Sequence, residues 1–163
     1  MITQGRTRES GRTRISICLS ADTIPASEWG FGFVSVERNK ATIRRFVDEV
    51  RNRGRFEVID EITAPHLISD MQRTARGLHA AFDRYSVELL DLVGDGDTVV
   101  LRGMQRGVQK GPWLGLPASG KSVQWMVLRL FTFDDAGKIT ATWAFSDSAG
   151  LIAQMGGRIV PVD

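Results

Sequence analysis

A single cysteine, Cys18, has no partner for an internal disulfide, which argues against a cystine-stapled secreted scaffold and agrees with a reducing, cytoplasmic setting. Histidine is almost as scarce. His66 and His79 are the only two, with no HxxxH or HxH spacing, so no metal site and no metal cofactor are expected. No apolar run approaches the roughly 18–20 residues that a membrane span needs, and no membrane association is expected. An excess of one charge is missing too: 21 basic residues stand against 19 acidic, a net +2, far from the strong basic field that favours nucleic acid as a partner. What is present is one ordinary globular domain of 163 residues, 42% hydrophobic and 25% charged, long enough to bury one sizeable core.

Residues 1–35 set Arg6, Arg8, Arg12 and Arg14 among Thr, Ser and Gly with no sustained period, and read as a flexible basic N-terminal arm. Its apolar stretch at 15–19 is short and broken by Ser16, unlike a secretory signal. The domain is placed at residues 36–158, followed by a C-terminal tail at 159–163. Ala41, Ile43, Phe46, Val47 and Val50 recur at three and four, predicting a helix over 36–51 with Arg44, Arg45, Asp48, Glu49 and Arg51 mostly on its other side. Gly54 stops it. A short helix over 56–62, an extended piece over 66–71 and a helix over 74–84 follow. Strands are expected at 86–93, 98–105 and 123–133, with a last strand after Gly137. Turn signals at Gly94-Asp95-Gly96-Asp97 and Asp134-Asp135-Ala136-Gly137 join neighbours into a meander. Helices first and strands afterwards mean an α+β fold: a curved antiparallel sheet wrapped by about three helices, leaving a cone open at one end as a small-molecule pocket.

In the last strand Ile139, Ala141, Trp143, Phe145 and Asp147 share one face by alternation, so an acid ends a largely apolar row. Two readings stand. Facing a pocket, the Asp147 carboxyl would gain proton affinity and serve acid/base chemistry; followed by Ser148, Ala149 and Gly150, it would instead cap the closing helix. On the strand before, Val123, Trp125, Val127, Arg129, Phe131 and Phe133 share a face, placing Arg129 inside the cone or at its rim with Asp70 or Asp147 as a suitable counter-charge. The opposite row, Gln124, Met126, Leu128 and Leu130, is apolar enough to pair subunits as a homodimer or homotetramer. Trp113, in Gly111-Pro112-Trp113-Leu114, is the lid candidate.

Asn39-Lys40, Arg44-Arg45-Phe46-Val47-Asp48-Glu49-Val50, Asn52-Arg53-Gly54 and Ile62-Thr63-Ala64-Pro65, followed by Asp95-Gly96-Asp97-Thr98-Val99-Val100-Leu101-Arg102, Leu114-Gly115-Leu116-Pro117-Ala118-Ser119-Gly120-Lys121, Phe131, Gly137-Lys138-Ile139, Trp143, Asp147, Leu151 and Gln154-Met155-Gly156, form an ordered set. Over about residues 37–157 it resembles the SnoaL-like polyketide cyclases (ester cyclases), within the NTF2-like, ketosteroid-isomerase-like fold. The resemblance implies a cofactor-independent cyclase of secondary metabolism, antibiotic biosynthesis included. Its substrate would be a hydrophobic small molecule, polycyclic metabolites among them, closed by an intramolecular aldol step with Asp147 as general acid/base. Asp70 falls where members commonly have a pocket histidine. With Trp113, Trp125, Arg129 and Trp143 it makes up the set expected to contact substrate. An Asp/Arg/Asp set is also similar to the limonene-epoxide-hydrolase-like branch, which opens epoxides, although that branch's R-x-D spacing is absent here. Isomerisation, oxygenation or simple ligand binding on the same fold remain alternatives.

Overall fold

The computed structural model describes residues 26–158 and 160, with side chains from Ser35 onward. Most of the basic arm, through residue 25, and most of the tail therefore lie outside the described residues. Helix α1 (Ala26–Arg45) begins ten residues before the helix expected from residue 36. It runs directly into a π-helical segment, Phe46–Asn52. Helices α2 (Val58–Ile62) and α3 (Pro65–Ala81) follow. Helix α3 absorbs the extended piece expected at 66–71, because Pro65 sits at its first turn, where a missing N–H costs nothing and a fixed φ is already helical. Among the described residues no helix is long and apolar enough to cross a membrane.

Four strands form one antiparallel sheet in sequence order: β1 (Phe82–Asp95), β2 (Thr98–Gln109), β3 (Ser122–Phe133) and β4 (Ile139–Ser146), before α4 (Ser148–Met155) closes the chain. The α+β meander expected from the sequence is the one observed. Its curvature comes from register shifts that alternation alone does not announce. One lies between Asp83 and Ser86 and another between Leu89 and Asp91. They keep Phe82 and Tyr85, then Leu89 and Leu92, turned inward despite spacings of three.

A third shift decides the site. Phe133 pairs with Ile139 but Thr132 pairs with Ala141, so Thr140 is an extra residue. Its carbonyl accepts a hydrogen bond from His66 Nε2 at 2.9 Å, and its hydroxyl donates to the Thr132 carbonyl at 3.2 Å. One inserted residue reverses the parity of everything after it. Ile139 is fully buried, yet Trp143 and Phe145 lie outside, 64% and 60% exposed.

The core lies between the concave sheet face and the helices, with Ile43, Phe46, Val50, Ile59, Phe82, Val99, Phe131 and Ile139 almost wholly buried. Phe46 meets Phe131 edge-on at 5.7 Å. The β2–β3 connection is held from beneath by Gln109, itself fully buried. Its amide donates to the carbonyls of Gly111 and Pro117, and accepts from the Ser119 N–H and hydroxyl at 3.2 and 2.6 Å. Gln109→Leu keeps the volume but leaves these loop groups unpaired, at a cost of about 1–3 kcal/mol for each one that stays dry. Chemical denaturation is expected to show a loss of at least about 2 kcal/mol. Limited proteolysis is expected to cut the variant within residues 111–120.

Candidate active site

The cone encloses a cavity of about 310 Å³. Its walls come from the inward rows of three strands and from the helices: Trp125, Val127 and Arg129 of β3, Gln105 of β2, and Thr142, Ala144 and Ser146 of β4. Leu78 and Thr74 of α3, Leu151 and Ser148 of α4, Arg51 of the π segment, and Trp113 with Leu114 complete it. A narrow recess of about 20 Å³, which shares Arg51, Gln105, Val127 and Arg129 with the main cavity, reaches Phe46 and Phe131.

Arg51 was expected on the polar side of its helix. At 3.6 residues per turn it would sit roughly 140° around from Phe46. The i→i+5 ladder of the π segment instead brings residue i+5 nearly beneath residue i, so Arg51 joins Phe46 on the buried face. It is 7% exposed, and its guanidinium carbon stands 5.1 Å from the Phe46 ring centre. Two neighbours fix the segment. His79 Nε2 donates to the Arg51 carbonyl at 2.9 Å, and the Asn52 amide both accepts from Val87 N–H at 2.7 Å and donates to its carbonyl at 3.1 Å.

Arg129 approaches the same ring from the sheet, 5.6 Å from the centre of Phe46 and 5.2 Å from that of Phe131. Its Nε donates to the Thr142 hydroxyl at 2.8 Å. Burial first, and Arg51 second, pull its pKa down to about 9, which leaves it cationic at neutral pH. Among the described residues neither Arg51 nor Arg129 pairs with a carboxylate, and one terminal nitrogen of Arg51 is buried with no hydrogen-bond partner. Burying a charge without its counter-ion costs roughly 3–5 kcal/mol. Cation–π contact returns about 0.5–2 kcal/mol, so the deficit is only partly met. Beside them the Tyr85 hydroxyl donates to Gln105 Oε1 in a short contact, which leaves the Gln105 amide NH₂ as a donor at the lining. Burial raises the Tyr85 pKa, with Arg51 and Arg129 opposing, so it stays protonated.

Of the residues expected to meet substrate, Trp113, Trp125 and Arg129 line this cavity together. Trp113 packs edge-on against Phe82 at 5.7 Å, beside Gly77 of α3. Asp70 lies elsewhere, exposed on α3 and paired with Arg73 at 2.7 Å. Trp143 is turned outward by the Thr140 bulge, and so are Ala141 and Phe145 beyond it, while Ile139, before the bulge, stays in the core. Asp147 follows the end of that row, exposed and outside the lining, its carboxylate accepting from Gly150 N–H at 2.8 Å as the N-cap of α4. Of the two readings of this acid, the placement is that of the cap. The Asp/Arg/Asp constellation does not assemble. Sequence reasoning passed over Arg51 and Gln105; alternation along β2 puts Gln105 on the face of Val99 and Leu101, but the π register behind Arg51 has no signal in the residue pattern.

Asp147→Ala is expected to lower stability by about 1 kcal/mol and Asp147→Asn by no more than a few tenths, measured by chemical denaturation, because asparagine caps as well as aspartate. Comparison with known proteins follows the architecture. No curated protein matches the chain. Among solved structures, TsrD from Streptomyces laurentii superposes with a TM-score of 0.70 at 27% identity, covering 75% of this chain and 97% of that one. A candidate SnoaL-like polyketide cyclase from Jannaschia sp. CCS1 gives 0.70 at 25%, covering 76% and 95%. AclR from Streptomyces galilaeus, a candidate hydroxylase, shares the fold with a TM-score of 0.67 at 22% identity, covering 74% and 97%. The family description "SnoaL-like polyketide cyclase" matches residues 41–155, so the chain belongs to the SnoaL-like polyketide cyclase family.

Proposed function

We propose that this protein is a polyketide cyclase-type enzyme that closes a ring on a hydrophobic small molecule held between Trp113 and Trp125. The observation that carries this reading is the set of donors at the inner end of the cavity, the Arg51 and Arg129 guanidiniums and the Gln105 amide NH₂, in a lining that holds hydroxyls and apolar groups but, among the described residues, no carboxylate. In an aldol closure a proton leaves the carbon beside a carbonyl, the resulting enolate carbon bonds to a second carbonyl carbon, and the alkoxide so formed takes up a proton. Atoms are conserved, so product and substrate have the same mass. Negative charge builds up first on an enolate oxygen and then on an alkoxide, and preorganised cations in a low-dielectric cavity stabilise such charge more than water does. A methylene flanked by two carbonyls is acidic enough to exchange its proton with water at the open mouth. The expected carboxylate route through Asp147 finds no support in the placement of that residue. Epoxide opening, which needs carboxylates to position water, finds none at the lining among the described residues. A binding role without turnover is the second reading, favoured by a lining that, among the described residues, holds no carboxylate or imidazole to act as general base.

The test offers ring-open polyketides, as free acids and as esters, and looks for an isomer of unchanged mass. Arg129→Gln is expected to reduce kcat by about 10²–10³, the usual consequence of removing one oxyanion donor, with KM changing much less. Asp147→Asn is expected to retain turnover within a few-fold. The opposite pattern would restore the carboxylate mechanism, and retained binding without any isomer would select the second reading.

We further propose self-association through the outer face of β3 and β4. There Leu128 pairs with Phe145 and Leu130 with Trp143, and Leu128, Trp143 and Phe145 form an exposed apolar cluster of the kind that marks an interaction site. Sedimentation velocity is expected to show a dimer or tetramer, with Phe145→Asp shifting it to monomer.

A further inference from the structure

We propose that the ligand of this cavity carries a permanent carboxylate, seated in the recess between Arg51 and Arg129, with its aromatic or polycyclic body lying outward against Trp125 and Trp113. The inference rests on the reading of the cavity as the substrate site and names the class of molecule it takes. Three observations lead to it. The two guanidiniums share the Phe46 ring at 5.1 and 5.6 Å and have no carboxylate partner among the described residues. One Arg51 terminal nitrogen is buried and unbonded, and Arg129, with only its Nε committed to Thr142, keeps its terminal nitrogens for another acceptor. The recess beside them, about 20 Å³, has room for about one water-sized group, which suits a single carboxylate oxygen and not a ring.

A neutral ligand would leave two like charges buried beside the same ring without a counter-ion throughout the bound state. A carboxylate neutralises one of them, takes the fork of donors a guanidinium offers, and accepts from Gln105. The depressed pKa of Arg129 has the same origin, since burial and the charge of Arg51 act on a cation that has no anion beside it. Phe46, Val47, Val87, Leu101, Val127 and Phe131 complete the recess with apolar walls that strengthen any such pairing.

The experiment compares 2-naphthoate with methyl 2-naphthoate, the same two-ring body with and without the charge, by calorimetry and thermal unfolding on the full chain at neutral pH. The acid is expected to bind at least tenfold more tightly than the ester and to raise the Tm. Arg51→Gln and Arg129→Gln are each expected to weaken the acid at least tenfold and leave the ester unchanged. An ester that binds as well as the acid would overturn the carboxylate assignment while leaving the cavity a ligand site. So would acid binding that survives in both variants. Should neither probe bind the wild type, the assignment falls together with the reading of the cavity. Because the acid–ester pair is read on the wild type, the result stands even if a variant fails to fold.

Discussion

Two guanidiniums held over one phenylalanine ring, with no acid beside them among the described residues, are the constraint around which this cone is built. A cation in a low-dielectric interior repels its like and seeks an anion, and a protein that keeps two of them must hold both by rigid means. Arg129 is held by a strand central to the sheet and by the Thr142 hydroxyl on its neighbour. Arg51 is held by a helix end tied to β1 through Asn52 and to α3 through His79. The aromatic packing of Phe46 on Phe131 then becomes a floor for both charges as well as a core contact.

Two local irregularities turn a regular α+β sandwich into this site. The π segment rotates Arg51 from the solvated face of its helix to the buried one. The bulge at Thr140 turns Thr142, Ala144 and Ser146 inward and sends Trp143 and Phe145 out. Without that extra residue the concave face would carry two large aromatic rings where it now has small and hydroxylated side chains. Cavity space and outer apolar face are therefore two results of one inserted residue. Family membership fits this picture, since the fold supplies the cone and small departures in register decide what lines it.

Much of the architecture was legible in the residues. Apolar recurrence from Ala41 to Val50, the two glycine-bearing turns and the alternation through Val123, Trp125 and Phe131 are local patterns, and local patterns survive into the folded chain. The inward placement of Trp125 and Arg129 followed from the same alternation. The row from Ile139 to Asp147 breaks after Ile139 because alternation assumes an unbroken strand, and a bulge costs a sheet one unpaired residue that no residue type here advertises. Asp147 shows the other limit: a strand's last acid and a helix's first cap occupy the same position in a sequence, and only the direction of the carboxylate separates them.

The sequence by itself determined the α+β order of elements, the meander, the family and the presence of Trp113, Trp125 and Arg129 at the cavity, because each follows from periodicity, turn chemistry or an ordered motif set. The tertiary structure alone decided that Arg51 enters the cavity, that Trp143 leaves it and that Asp147 caps a helix. Those outcomes depend on register, and register is set by how distant segments such as His66, Asn52 and Val87 grip the backbone after the chain has folded.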